Sequence, residues 1–196
     1  MSRSSRPRAA ADVNRAVGVA SFSGAVIEGQ WVNVALFSLV LLGLVLPRSL
    51  VISPGLDLLY GVVLLFAAWS AVLDWYIAYG WLDLAVHTVA CGLTAGIAHR
   101  ALVEWGVLSE VADQTLRRTG AGLVLTTTAL GSALGVLWEI GEWYGHTYLD
   151  ERIQVGYLDT VGDLMTDGVG AFAAGVVLLS MRRIRGNPAL ARRPEQ

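Results

Sequence analysis

Five apolar stretches dominate this chain, at about Trp31–Leu46, Leu50–Leu73, Leu84–Trp105, Gly120–Ile140 and Val161–Met181. Each comes close to the ~20 residues that carry a helix across a hydrocarbon layer. Composition points the same way: 55% of residues are hydrophobic, 15% are charged and mean hydropathy is +0.56. A soluble domain of this length would carry about 25% charged residues. The expected fold class is therefore all-α, a polytopic membrane helix bundle. With 196 residues there is room for one membrane domain and two short tails, and none for a soluble domain. Cys91 is the single cysteine, which excludes an internal disulfide.

Residues Ala16–Ile27 form a sixth, shorter candidate span, softened by Ser21 and Ser23. A signal-peptide core after the basic start "MSRSSRPR" is the rival reading. Arginine placement decides between them, because positive residues favour the cytoplasmic side. All fourteen basic residues are arginine. Six spans with both termini cytoplasmic leave only Arg152 outside, a split of 13 to 1, whereas five spans give 9 to 5 at best. Six spans is the expectation, with a basic cytosolic tail over 1–14, the membrane domain over 15–181 and a second basic tail over 182–196. Trp31, Trp75, Tyr76, Tyr79, Trp81, Trp143 and Tyr144 then fall at outer ends, where amphipathic rings favour the headgroup zone. Gly92 with Gly96, and Gly131 with Gly135, have the small-xxx-small spacing of close helix contacts in lipid.

Against this background the acids stand out. "LWEIGEWYGHTYLDERIQVGYLDTVGDLMTDGVGA", residues 137–171, holds seven carboxylates. The six-span topology puts Asp83 and His87 at the outer end of span four, Glu139 and Glu142 in the last outer turns of span five, and Asp159, Asp163 and Asp167 in the first turns of span six. Spacings of three and four place each set on one helical face. At ~1.5 Å rise per residue, Asp167 lies roughly 12 Å deeper than Asp159, so the acids descend in a column. An ionised carboxylate in hydrocarbon costs ~2.5–3.5 kcal/mol on insertion scales. No arginine is expected at this depth, which leaves two remedies: protonation of some acids, or a cation among them. Hard divalent ions take carboxylate oxygens, and a histidine widens the choice towards iron, manganese or zinc.

Plainer roles compete for several of these residues. Asp159 fits a helix N-cap, with Thr160 as its rival. Asp150, Glu151, Asp74 and Asp83 fit solvated interface charges, His87 a hydrogen-bonded bundle residue, and Cys91 a small packing residue. Glu139, Glu142, Asp163 and Asp167 are harder to assign this way, because intramembrane acids mark functional sites.

The segments "LDLAVHTVACG", "LWEIGEW" and "YLDTVGDLMTDGVGA" resemble the YjdF-like family of small bacterial inner-membrane proteins. VanZ-like proteins share a similar order of Asp/His, Glu and Asp elements. The resemblance covers about 83–171 and marks Asp83, His87, Gly92, Glu139, Glu142, Trp143, Asp159, Thr160, Asp163, Gly170 and Ala171. It implies a multi-pass protein of the bacterial cytoplasmic membrane. The chain departs from the family at Val86, where glycine is common, at His99 and Arg100, and in the loop "GHTYLDERIQVGY".

Three functions follow as expectations. In the first, a divalent metal held by Asp83, His87, Glu139, Glu142, Asp159, Asp163 and Asp167 assists chemistry on a lipid or lipid-linked headgroup. His87, Glu139, Glu142 and Asp163 are its catalytic candidates, while Trp143, Tyr144, His146 and Arg152 receive the headgroup. In the second, the acid column binds or carries protons or a divalent cation, with homo-oligomerisation supplying a path. In the third, the acids only pack helices in a structural envelope protein. The arginines lie in membrane-flanking tails without a folded reader, which argues against a nucleic-acid partner; membrane lipid is the expected one.

Overall fold

The computed structural model describes residues 5–109 and 119–186, with side chains described over 9–109 and 119–183. Among these residues there are seven helices and no strand: α1 Ser5–Ile27, α2 Trp31–Ser49, α3 Pro54–Val72, α4 Trp75–Ala78, α5 Gly80–Glu104, α6 Thr119–Tyr148 and α7 Tyr157–Gly186. Five of them, α2, α3, α5, α6 and α7, are long and apolar enough to cross a membrane. Their lateral surfaces are apolar: Leu42 is 70% exposed, Leu125 71% and Met165 69%. In water such faces would be a liability, whereas in lipid they are the solvent-matched surface.

Local sequence sets the helix ends. Ser53 caps α3 by accepting from the Leu56 amide at 3.3 Å, and Pro54 follows at the first helical position, where its missing N–H costs nothing. Gly106, with φ +73°, ends α5 in the left-handed conformation that glycine adopts without strain. Asp74 takes a left-handed φ of 57° between α3 and the short α4, an element not foreseen in the sequence.

The helices pack as two groups. α1 lies against α2 and α3; α7 packs most extensively against α5 and α6; α3 meets α5 between them. Leu44, Phe37 and Ala68 centre the first group, with Ala25 of α1 beside them. The second group closes on small residues, Cys91, Ala95 and Ala171. A Cβ on Gly170 would strike the Thr88 carbonyl oxygen, and one on Gly92 would lie 2.8 Å from the Gly170 oxygen. α5 and α7 therefore touch backbone to backbone. Gly131 meets Ala171 and Ala95, and Gly135 meets Asp167, whereas Gly96 faces open space. So three of the four glycines expected at contacts are at them. Gly170, marked in the sequence only by the family resemblance, makes the tightest one.

Some boundaries differ from expectation. The stretch read as an N-terminal tail is helical from Ser5, and α6 runs on to Tyr148 because its polar end stays hydrogen-bonded as a helix. α7 starts at Tyr157, so Asp159 sits inside its first turn rather than at the cap. α1 is joined to its neighbours by polar contacts. Arg15 donates to Asp57 at 2.7 Å and to the Leu44 carbonyl at 3.0 Å, and Asn14 donates to the Leu58 carbonyl at 2.9 Å. Arg3, Arg117, Arg118, Arg192 and Arg193 lie outside the described residues, as do the side chains of Arg6, Arg8 and Arg185.

Candidate functional site

The N-terminal end of α5, the C-terminal end of α6 and the N-terminal end of α7 meet at one end of the bundle. The backbone contact at Gly170 sets how closely α5 and α7 approach there. His87, 9% exposed, is the centre of the polar cluster that results. Its Nε2 lies 3.7 Å from Oδ1 of Asp83, one turn earlier on α5, and 4.0 Å from Oδ1 of Asp163 on α7. Its Nδ1 lies 3.2 Å from Oδ1 of Asp167, one turn deeper on α7. Asp163 and Asp167 are each 2% exposed.

Glu139 and Glu142 enter from α6. Two sets of side chains bring one potential ligand atom each to within 4.8 Å of one another: Asp83, His87 and Asp163; and His87, Glu139 and Glu142. Such separations are of the order of twice a metal–oxygen distance of ~2.0–2.6 Å. Glu139 is 8% exposed, and its Oε1 is buried with no hydrogen-bond partner. A buried polar atom without a partner costs ~1–3 kcal/mol, more when charged, so native structures rarely leave one. The His87 imidazole is the neighbour that Asp83, Glu139, Glu142 and Asp163 share.

Asp159, half-buried, stands one turn further out on α7 and belongs to neither set. The expected headgroup receivers have partners of their own. Arg152 pairs with Asp150 in the α6–α7 loop, Nη2 to Oδ2 at 2.7 Å, which holds that carboxyl down at about 2. His146 Nδ1 lies 2.6 Å from the Ile153 carbonyl oxygen and ties the loop back to α6. Trp143 and Tyr144 are exposed and pack against Tyr148, Trp143 edge-to-face with centroids 6.1 Å apart and Tyr144 tilted at 4.8 Å.

Tyr76 was placed in the outer aromatic belt by sequence alone, yet it turns inward. Its hydroxyl donates to the Ala67 carbonyl at 3.0 Å, and burial, with Asp83 and Glu142 nearby, pushes the phenol up so that it stays protonated. The left-handed turn at Asp74 precedes α4 and redirects the chain, and nothing in the local sequence beyond a Trp-Tyr pair signals this. Beside it, Trp75, Tyr79, Trp81 and Leu82 line an open, mostly apolar cleft of about 370 Å³.

The family described as "Predicted membrane protein (DUF2238)" matches residues 13–184, and the chain belongs to that family. No curated protein and no solved structure matches it. The match extends over nearly all the described helices, including α1, and so well beyond the three motifs that carried the resemblance in sequence.

Proposed function

With membership of that membrane-protein family as the premise, we propose a YjdF-like protein of the bacterial cytoplasmic membrane, crossing six times with both termini cytoplasmic. Its site in the outer half of the bilayer binds a divalent cation and uses it on a lipid or lipid-linked headgroup. α1 supports the sixth crossing. It lies along α2 and α3 from Ala11, 1% exposed, to Ala25, 6% exposed, and its Asn14 and Arg15 side chains are paired inward. The likeness to VanZ-like proteins rests only on the order of acidic elements.

One observation carries the cation reading. Five carboxylates on three helices surround one imidazole, and Oε1 of Glu139, one of the five, is buried without a partner. A cation would supply that partner and offset the repulsion. Bound there it would polarise a phosphoryl or carbonyl oxygen, or activate a water, leaving a flanking glutamate to move a proton. The apolar cleft beside Asp83 and the exposed Trp143–Tyr144–Tyr148 cluster support a lipid rather than a soluble substrate.

A second reading, passage of protons or a divalent cation, has the descent of acids from Asp159 to Asp167 along α7 in its favour. Elemental analysis of chelator-free purified protein beside its Glu139→Gln variant tests the first. Bound metal near one equivalent in wild type, reduced in the variant, is the expected result. No metal in wild type, together with full cellular function in a Glu139→Gln/Asp163→Asn double variant, would leave a structural role for the acids.

A further inference from the structure

His87 is gripped on both ring nitrogens, but not in the same way. Asp167 Oδ1 is within hydrogen-bonding reach of Nδ1 at 3.2 Å. On the other side, Asp83 and Asp163 stand off from Nε2 at 3.7 and 4.0 Å. An ionised carboxylate only accepts, so with Asp167 ionised its bond to Nδ1 places the proton on that nitrogen. In the neutral ring Nε2 then carries a lone pair. Two carboxylates facing a lone pair without contact leave a gap between three donors. Donors sharing one ion at ~2.0–2.2 Å lie ~3–4 Å apart, and the two separations from Nε2, 3.7 and 4.0 Å, match that spacing.

Asp167 has little freedom to do anything else. It is 2% exposed, and α6 passes so close that a Cβ on Gly135 would overlap its carboxylate. It also belongs to neither set of side chains able to share an ion. We infer that Asp167 is a positioning residue and not a ligand: it holds His87 with Nδ1 protonated and presents Nε2 to a first-row transition divalent ion. Such an ion accepts imidazole nitrogen with carboxylate oxygen, whereas magnesium and calcium favour oxygen donors alone. The inference rests on the cation reading above and supplies the class of ion and the role of each ring nitrogen. A hydrogen-bonded partner behind a ligating histidine is the usual means of fixing its tautomer and orientation.

The test uses the full chain purified in detergent, with Co²⁺ as the probe. Metal-free wild type labelled with ¹⁵N-histidine reports the tautomer directly. The chain has three histidines, so His99→Gln and His146→Gln each remove one set of signals and leave His87 by elimination. Expected are an Nδ1–H tautomer at His87, Co²⁺ binding that excess Mg²⁺ does not displace, and a visible Co²⁺ spectrum. Asp167→Asn should weaken Co²⁺ binding by ~10–100-fold while keeping that spectrum, whereas Asp163→Asn should change it. An Nε2–H tautomer in wild type, unaltered affinity in Asp167→Asn, or a spectrum altered as by loss of a ligand would overturn the inference while leaving the cation reading intact. Absence of Co²⁺ binding in folded wild type would instead overturn the cation reading, and this inference with it. The tautomer measurement needs no Asp167 variant and so stands even if that variant fails to fold.

Discussion

Asp163 decides between the two ways a membrane can tolerate this many acids. It is 2% exposed, too deep to act as a cap, and faces His87 from across the α5–α7 contact. Asp163→Asn keeps its volume and removes its charge. With a metal bound, wild type at 100 Kd of free ion gains ~2.7 kcal/mol, which for a chain of this size is on the order of 5–10 °C in Tm. Chelator should therefore lower the Tm of wild type by that amount and leave Asp163→Asn unmoved. If the acids are instead protonated, chelator shifts neither protein, and the variant melts at or slightly above wild type because a neutral amide replaces a neutral acid. Thermal melts with and without chelator separate the two outcomes.

At the scale of helices, the site depends on how closely α5 and α7 approach. Gly170 lies against the Thr88 carbonyl, so a methyl there must push backbone from backbone, and no side-chain rotation can relieve it. Gly170→Ala should cost ~1–3 kcal/mol as overpacking and weaken metal binding too, since His87 on α5 moves away from Asp163 and Asp167 on α7. Gly96→Ala is the control. It adds the same methyl to α5, the other helix of the pair, facing open space, and should be neutral or stabilise by up to ~1 kcal/mol through helix propensity. Equal melting temperatures and metal affinities for the two variants would refute a close-contact role for Gly170.

For the molecule as a whole, the helix order puts Arg15, Arg48 and Arg100 at one end and Arg152 at the other. Under the positive-inside rule that asymmetry supports the proposed orientation, with the His87 cluster outward. In a Cys91→Ala background, cysteines at Gln30, Gly80 or Thr147 should react with an impermeant thiol reagent added to intact cells, and cysteines at Ser49 or Asn187 should not. The background removes a small volume and weak thiol contacts, among them a bond to the Gly131 carbonyl at 3.3 Å. Labelling at Asn187, which lies beyond the described residues, would invert the orientation and place the acids on the cytoplasmic side.

The helical class and the five apolar helices were legible in the sequence, because in lipid the backbone must satisfy itself and hydropathy alone marks where it does so. So was the gathering of Asp83, His87, Glu139, Glu142, Asp163 and Asp167 at one end, since alternating helix direction brings those ends together whatever the packing. The division of labour among them was not. Spacing put Asp159, Asp163 and Asp167 on one stripe of α7, but only the rotation of that helix against α5 sets Asp167 behind Nδ1, Asp163 before Nε2 and Asp159 outside. That rotation is fixed by steric contacts at Gly92, Gly131, Gly135 and Gly170, and the partner of each comes from a different helix. The inward turn of Tyr76 and the Arg15–Asp57 pair have the same origin. A side chain's partner across a bundle depends on helix rotation and approach, which the sequence of one helix does not encode and the packing of all of them does.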